Sequence, residues 1–414
     1  MRRSVKAAAT TLALVGAIAT GALATGSLRL GQDAGSLPAP VGLAEPSASA
    51  SSSADPGPSA VSSASATPTP SPTPAPTPLL VPAPLTGRLV TPRVAAQHPI
   101  ALMIDDAPAA RPQSGFNAAS VVWQAPAEGG VPRYMMVFQD QMPTDVGPVR
   151  SARSYFITWA AEWNAVYGHV GGSPQAMATL RAEGNGQLVY NADEFRWGGI
   201  YYRRIKERHS PHNVYSDAKS LTIMATRVGA ENEAIKAVWR FAPDAPLEAR
   251  PSGGIIRVDY PYNSITYRYD RATNTYLRGV NGTPRQIDPA DGKQVAPRNV
   301  VVMMMSFGPL NDGSNKHRLE AKVVGSGKAW IATNGRTIEG TWKKSSIAGP
   351  TRYYDKAGKP VTLTVGQTFI QVMPLGSKVT IKDGSLPAPT PTPTPAAHAS
   401  AGPSAGPSGS PVAS

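Results

Sequence analysis

The 414-residue sequence contains no cysteine. This absence excludes a disulfide framework, a thiolate zinc site and a cysteine nucleophile. It also excludes anchoring through a lipid-modified N-terminal cysteine. After residue 24, no apolar run approaches the length of a membrane-spanning helix. The folded part must therefore be stabilised by core packing, and we expect membrane contact only through the N-terminal segment.

Large apolar side chains are scarce near both ends of the chain. Residues 46–78 and 385–414 consist mainly of Ser, Ala, Pro and Thr. Such segments bury too little apolar surface to offset the entropy lost on ordering. We therefore predict a disordered linker at 26–84 and a disordered tail at 384–414. The roughly 300 residues between them are enough for two domains with cores of their own.

Acidic residues are also in deficit. The chain carries 40 Lys and Arg against 27 Asp and Glu, a formal net charge of +13. Four of the basic and three of the acidic residues precede residue 84 and none follows residue 383, so 36 basic and 24 acidic groups lie in the predicted folded region. An excess of this size favours anionic partners at long range. Outside a membrane, those partners would be wall polymers or lipid headgroups.

The N-terminus predicts export. Arg2, Arg3 and Lys6 precede an apolar stretch at 7–24, which ends in the A-x-A cleavage pattern Ala22-Leu23-Ala24. The same stretch is just long enough to span a bilayer if it is not cleaved. Residues 1–25 are therefore predicted to be a signal peptide or an anchor. Either alternative gives an extracytoplasmic protein, secreted or held at the outer face of the cytoplasmic membrane.

The region 85–240 mixes strand and helix signals. Apolar runs such as 100–104 and 134–138 are typical of buried strands, whereas 151–164 has helical spacing. Helices are also predicted at 173–182, with a Ser-Pro N-terminus, and at 217–228. Tyr155, Trp159 and Trp163 recur every four residues and are predicted to be core. These signals indicate a mixed α/β domain.

The region 250–383 indicates a mostly antiparallel β domain, a barrel or a sandwich. Residues 265–269 alternate apolar and polar side chains, and 299–305 form a central apolar strand. Asn334-Gly335 between two short strands is a strong hairpin signal. The predicted fold class is therefore α+β, with an N-terminal α/β domain followed by an antiparallel β domain.

A set of motifs runs through both predicted domains in a fixed order. They are Ala101-Leu102-Met103-Ile104-Asp105, Ala109-Ala110-Arg111-Pro112-Gln113-Ser114-Gly115, Ala127-Glu128-Gly129-Gly130, Gly147-Pro148-Val149-Arg150-Ser151-Ala152-Arg153, His169-Val170-Gly171-Gly172-Ser173, Pro211-His212-Asn213-Val214-Tyr215, Asn299-Val300-Val301-Val302, Gly325-Ser326-Gly327 and Gly340-Thr341-Trp342-Lys343-Lys344. Together they resemble the YerB-like family of bacterial surface lipoproteins, which is built on paired domains of unknown function. The resemblance implies an extracytoplasmic location and two domains, but no established activity.

This sequence departs from the family pattern at two points. The lipobox cysteine of the family is missing, and Asp106 stands where the family pattern has Asn. The first departure removes the lipid anchor. The second weakens any argument from a catalytic pair of Asp105 and Asp106.

The most suggestive site motif is the Gly-Pro turn before the predicted helix at 151–164. It places Arg150 and Arg153 three residues apart at the expected first helical turn, on one face. Backbone N–H groups at a helix start favour anions, and arginine binds carboxylate or phosphate bidentately. The structural alternative is that these arginines pair with Asp140, Asp145 or Glu128.

Glu128 and His169 are the candidate catalytic residues. Glu128 precedes two glycines, and burial could raise its pKa for acid or base work. His169 lies at a predicted strand end, just before Gly171-Gly172 and a helix start. The structural alternatives are a carboxylate paired with Arg133 or Arg150, and a half-buried histidine with satisfied hydrogen bonds.

Five more residues complete the predicted ligand-binding set. His212 and Asn213 are predicted to line the same pocket or to bond the loop backbone. Arg203, beside two tyrosines, suits sugar stacking or anion binding, and Asp105 and Arg111 belong to the first two motifs. His209 and His212 lack a third metal ligand, so neither a metal nor another cofactor is predicted.

Three functions remain open on the sequence alone. The first is a non-enzymatic protein that binds an anionic or glycan wall component through Arg150, Arg153, His169 and His212. The second is a wall-active hydrolase that acts on peptidoglycan with Glu128 and His169. The third is a scaffold for membrane-bound wall synthases. The expected partner is a cell-wall polymer or an envelope protein, and no nucleic acid, because export removes that partner.

Overall fold

The computed structural model describes residues 79–387, together with Gly406 and Gly409. The predicted signal or anchor, most of the predicted linker and almost all of the predicted tail lie outside the described residues. Within 79–387, no helix combines the length and apolar character needed to cross a bilayer. The helices described are α1 (Pro92–Ala95), α2 (Ser154–Ala160), α3 (Pro174–Glu183), α4 (Glu194–Trp197) and α5 (Ala218–Arg227), with short 3-10 turns at Pro108–Ala110, Glu128–Gly130, Ala161–Trp163 and Leu247–Ala249.

Strands make up most of the regular structure. In chain order they are β1 (Val81–Pro82), β2 (Leu89–Val90), β3 (Ile100–Asp105), β4 (Val121–Pro126), β5 (Pro132–Phe138), β6 (Val166–His169), β7 (Tyr190–Asp193), β8 (Arg203–Arg204), β9 (Val214–Tyr215), β10 (Arg240–Ala242), β11 (Ser252–Asp259), β12 (Ser264–Asp270), β13 (Thr275–Val280), β14 (Ile287–Asp288), β15 (Lys293–Gln294), β16 (Asn299–Met305), β17 (Phe307–Pro309), β18 (Leu319–Ala321), β19 (Gly325–Thr333), β20 (Arg336–Lys344), β21 (Arg352–Asp355), β22 (Thr362–Thr364), β23 (Thr368–Pro374) and β24 (Val379–Ser385).

The largest sheet contains strands from both halves of the chain. Its ten strands lie in the order β21-β20-β19-β16-β23-β4-β5-β3-β6-β7. The two halves meet where β23 pairs in parallel with β4, and β23 is also parallel to β16 on its other side. β3, β6 and β7 add parallel pairs at the N-terminal end, whereas the β19–β20–β21 end is antiparallel. This arrangement confirms the predicted α+β fold class.

The central strands are buried on both faces, as their continuous apolar runs predict. Every residue of β3, β4, β5 and β16 is buried. Successive side chains of a strand point to opposite faces, and Ala101 and Met103 accordingly pack in the cluster that contains α2 and α3. Leu102 and Ile104 pack in the other cluster, with α5 and with residues of β11, β12 and β13. Those three strands and β24 form a four-stranded antiparallel sheet.

Helix α2 and the 3-10 turn that follows it confirm the predicted aromatic core. Tyr155, Trp159 and Trp163 are all buried. Trp159 stacks on Trp123 of β4, with ring centroids 4.6 Å apart and an angle of 9° between the ring planes. The helical spacing of these aromatic residues therefore places their rings in the core rather than in solvent.

The local capping and turn signals also match the structure. The Ser173 hydroxyl accepts a hydrogen bond from the N–H of Ala176 at the start of α3. Asn334 and Gly335 both have positive φ and join β19 to β20, with Thr333 paired to Arg336. A two-residue turn of this kind follows the twist of the strands it connects.

Candidate functional site

The end of β3 brings together the first part of the site. Asp105 is the last residue of β3 and lies opposite Arg133 of β5 in the antiparallel register. Its Oδ2 is 2.7 Å from Nδ1 of His212 and 3.0 Å from Nε of Arg150. Its Oδ1 accepts a hydrogen bond from the N–H of Ala107. The buried Asp105 carboxylate therefore holds the side chains of Arg150 and His212 side by side.

Glu128, in the turn after β4, is bound by three guanidinium groups. Its carboxylate lies 2.5 Å from Arg153, 3.2 Å from Arg133 and 3.1 Å from Arg318. Burial raises the pKa of Glu128, but the positive charges of Arg153 and Arg133 outweigh that effect and hold the pKa of this carboxyl below its usual value. Glu128 is therefore an ionised acceptor.

Arg133 binds Glu128 and lies opposite Asp105 in the sheet. Its Nη1 donates to the carbonyl oxygen of Ser151 at 2.7 Å, and Nη2 pairs with Glu128. Burial and the neighbouring Arg153 lower the pKa of Arg133 to about 9, although Glu128 opposes the shift. Burial is the larger cause, and the nearby guanidinium group of Arg153 adds like-charge repulsion.

We call Arg133, Arg150, Arg153 and Arg318 the arginine cluster. The cluster carries four positive charges. The carboxylates bound to it carry three negative charges and belong to Asp105, Glu128 and Asp312. Arg133, Arg153 and Arg318 are buried. The side chain of Arg150 is 24% exposed, and that of His212 is 22% exposed. Arg150 and His212 are therefore the partly exposed donors that a ligand can reach.

The sequence placed Arg150 and Arg153 on one face of a helical turn, and that expectation is wrong. α2 begins at Ser154, and Arg153 is extended, with φ −137° and ψ 144°. Backbone bridges hold the preceding segment, with Val149 opposite Ile104 and Ala152 opposite Gly172. The two arginines consequently reach different carboxylates, in line with the structural alternative for Arg153.

His169 does not meet Glu128. It is fully buried on β6, with Nδ1 2.8 Å from the carbonyl oxygen of Gly171 and Nε2 2.8 Å from Oδ1 of Asn191. Both ring nitrogens are thus occupied. A general acid also needs a proton near neutral pH, which the lowered pKa of Glu128 does not supply. The geometry gives no support to an acid–base pair of these two residues.

The remaining predicted residues lie apart from the arginine cluster. Arg111 pairs with the fully buried Asp106 at 3.1 Å and also bonds Asn263. Burial raises the pKa of Asp106, although the charge of Arg111 opposes the shift. These contacts connect the N-terminal half of the chain to the turn between β11 and β12 through a buried polar network.

Arg203 and Asn213 belong to a surface network. Arg203 pairs with Asp145 and Asp217. The Oδ1 of Asn213 accepts a hydrogen bond from Arg204 at 3.1 Å. Tyr202, one of the two tyrosines beside Arg203, is buried and donates its hydroxyl hydrogen to the carbonyl oxygen of Ala192, so its ring is not open to a sugar.

Sequence reasoning named Arg133 only as a structural partner of Glu128, a pair that the structure contains, and it missed Arg318 altogether. Pairing the apolar runs of β3 and β5 in antiparallel register would have indicated the place of Arg133. In that register Arg133 lies directly opposite Asp105, so both side chains are on one face of the sheet. Arg318 lies 190 residues from Glu128, and no local pattern indicates the contact. Within residues 79–387, no three His, Asp or Glu side chains come together as metal ligands.

Comparison with known proteins gives matches over both halves. Residues 85–231 match the N-terminal domain, and residues 256–370 the C-terminal domain, of the protein family of unknown function DUF3048. YerB of Bacillus subtilis (strain 168), named as a candidate lipoprotein, is 32% identical over 308 residues, covering 73% of this chain and 89% of YerB. The crystal structure of Bacillus subtilis YerB matches with a TM-score of 0.65 and 28% identity, covering 72% of this chain and 99% of that one.

Proposed function

Because the chain belongs to the DUF3048 family, which includes YerB, we propose that it is an exported envelope protein that binds an anionic group of a wall polymer at the arginine cluster. Arg150 and His212 supply the exposed donors. The buried arginines behind them supply a field that favours negative charge. Asp105 and Glu128 hold these side chains in place, so a ligand meets donors that are already oriented.

The observation that carries this proposal is the surplus of guanidinium groups over carboxylates. Four arginines are partly neutralised by three acidic groups, and the pKa of Arg133 is lowered to about 9 by burial and by neighbouring cations. An incoming phosphate or carboxylate would offset that repulsion. The net charge of +13 favours the approach of a polyanion in the same way.

Arg150→Ala is expected to weaken binding to anionic wall material about tenfold, because it removes one charge-assisted contact. The full chain is sedimented with peptidoglycan sacculi that carry or lack their anionic polymers, at low and high salt. Arg150→Lys should recover part of the affinity, since it keeps the charge but not the planar guanidinium. Arg93→Ala, at an exposed position on α1, is the matched control.

Equal binding by Arg150→Ala and the unchanged protein would rule out this site. Soluble muropeptides are measured in the same samples. Their release, abolished in Glu128→Gln protein that remains folded, would replace the binding function with hydrolysis. If the protein neither binds sacculi nor releases fragments, the proposed function is wrong and a protein partner takes its place.

A further inference from the structure

A cleft of about 600 Å³ lies at the β7 edge of the ten-stranded sheet. We call it the α3–α5 cleft, because residues near the C-terminal ends of those two helices line it, together with residues of β7 and α4. Its volume falls in the range of about 300–1,000 Å³ that is typical of small-molecule sites. The arginine cluster does not line it.

Three arginines from three different helices line this cleft. Arg181 comes from α3, Arg196 from α4 and Arg227 from α5. All three are exposed, and none of them forms an ion pair with a residue in 79–387. Arg196 instead lies over the ring of Trp197, 4.6 Å from its centroid. The cleft therefore presents cationic charge that the fold itself does not use.

The acidic side chain in the lining is already engaged. Asp193 accepts hydrogen bonds from the N–H groups of Gly171 and Phe195 through its Oδ1. It also lies 3.7 Å from Nδ1 of the buried His169. Asp193 thus holds the turn at the end of β7, and the lining contains one carboxylate and three guanidinium groups.

A buried histidine holds one of the residues that line the cleft. Asn191 lines the cleft, and its Oδ1 lies 2.8 Å from Nε2 of His169. The other ring nitrogen of His169 contacts the carbonyl oxygen of Gly171, so the ring has a fixed orientation. His169 and Gly171 therefore hold lining residues of the cleft in place, through Asn191 and Asp193.

An aromatic ring forms the rim. Phe195 is 75% exposed, which is unusual for a side chain of this size. A Cβ at Gly171 would come within 2.7 Å of that ring, and Gly171 has φ +53°. Glycine at this position therefore lets the phenyl ring lie directly over the turn, where its face can pack on a ligand.

We infer that the α3–α5 cleft binds an anionic sugar unit, with its acidic group held by Arg181, Arg196 and Arg227 and its ring packed on Phe195. Phosphate and carboxylate share the chemistry that three guanidinium groups recognise. The amide of Asn191 adds a polar contact for hydroxyl groups. The site is separate from the arginine cluster, so it stands whether or not that cluster binds an anion.

The test titrates the full chain with α-D-glucose 1-phosphate, glucuronate and glucose, and measures affinity by calorimetry. At least one charged sugar is expected to bind ten times more tightly than glucose, and comparison of the two distinguishes phosphate from carboxylate. Arg181→Glu and Arg227→Glu should each weaken that binding at least tenfold, which is about the loss of one charge-assisted hydrogen bond. Both residues are exposed, so folding should not be affected.

Arg93→Glu makes the same change of charge on α1 and should leave the affinity unchanged. Phe195→Ala should weaken binding of the sugars several-fold but not that of inorganic phosphate. The inference is overturned if neither charged sugar binds better than glucose, or if Arg181→Glu and Arg227→Glu bind as the unchanged protein does. Inorganic phosphate binding as tightly as glucose 1-phosphate would overturn the recognition of a sugar. Arg150→Ala should not alter any of these affinities, which separates this test from the proposed function.

Discussion

Replacing Lys344 by methionine is expected to lower the free energy of unfolding by about 3–5 kcal/mol, the cost of breaking a buried ion pair. Lys344 of β20 and Glu162 of the turn after α2 both have side chains with 0% exposure, and Nζ lies 3.0 Å from Oε1. Glu162 also accepts hydrogen bonds from the N–H and the hydroxyl of Thr351, at 3.0 and 2.6 Å. Methionine would leave the Glu162 carboxylate buried without its cation.

The pair is costly to maintain as well as costly to break. Burial lowers the pKa of Lys344, although the charge of Glu162 opposes the shift, and burial raises the pKa of Glu162, although Lys344 opposes it. Removing both charges should therefore be less harmful than removing one. We expect the Lys344→Met, Glu162→Gln double variant to recover at least about 1 kcal/mol relative to Lys344→Met.

Urea denaturation at neutral pH measures the effect. Lys343→Met, one residue earlier on the same strand and exposed, is the matched control and should change stability by less than about 1 kcal/mol. A loss below 1 kcal/mol for Lys344→Met, or a double variant less stable than the single one, would contradict this account of the pair.

Glu128→Gln is expected to lower the free energy of unfolding by about 2–4 kcal/mol, somewhat less than a fully buried pair because the Glu128 side chain is 28% exposed. Three guanidinium groups lose their shared anion in this variant. Arg318 retains Asp312, but the pairs of Arg133 and Arg153 with Glu128 have no replacement among their ion-pair partners. Repulsion within the arginine cluster should then open the turn after β4.

The effect should depend on pH in a defined direction. The pKa of Glu128 in the folded protein lies below its ordinary value of 4.5, so the carboxylate contributes stability above pH 4.5. That contribution is lost as the pH falls through the folded-state pKa. The difference in stability between the unchanged protein and Glu128→Gln should accordingly be full at pH 7 and shrink below pH 4.5.

A surface carboxylate provides the control. Glu339 also contacts two cations, Lys328 and Lys356, but all three side chains are well exposed. Glu339→Gln should change stability by less than about 1 kcal/mol, because exposed pairs contribute little. If Glu128→Gln behaves like Glu339→Gln, the contacts around Glu128 are not structural. A difference that grows below pH 4.5 would contradict the charge argument.

Local patterns predicted the elements of this fold well. The apolar run 299–305 indicated a buried strand and became β16, and Asn334-Gly335 indicated a hairpin that joins β19 to β20. Ser173 indicated the start of α3. Each of these signals depends on residues close together in the chain, where period and capping chemistry decide the conformation.

Pairing over long separations could not be predicted in the same way. Nothing in the sequence of β23 indicates that it lies beside β4, because two buried parallel strands have similar apolar patterns in any order. The contact of Arg318 with Glu128 likewise joins residues that are 190 positions apart. The sequence indicated Glu128, Arg150, Arg153, His212 and Asp105 as candidate site residues, but which arginine binds which carboxylate follows from the tertiary structure.

The place of β23 also bears on the order in which the chain can fold. β4 forms hydrogen bonds with β5 on one side and with residues 368–371 on the other. While the C-terminal part is still being synthesised, β4 remains an open strand edge, and such an edge recruits other strands. A fragment that ends near residue 240 would keep that edge permanently. Completion of the sheet therefore waits for almost the last strand, which favours folding after the whole chain has been synthesised.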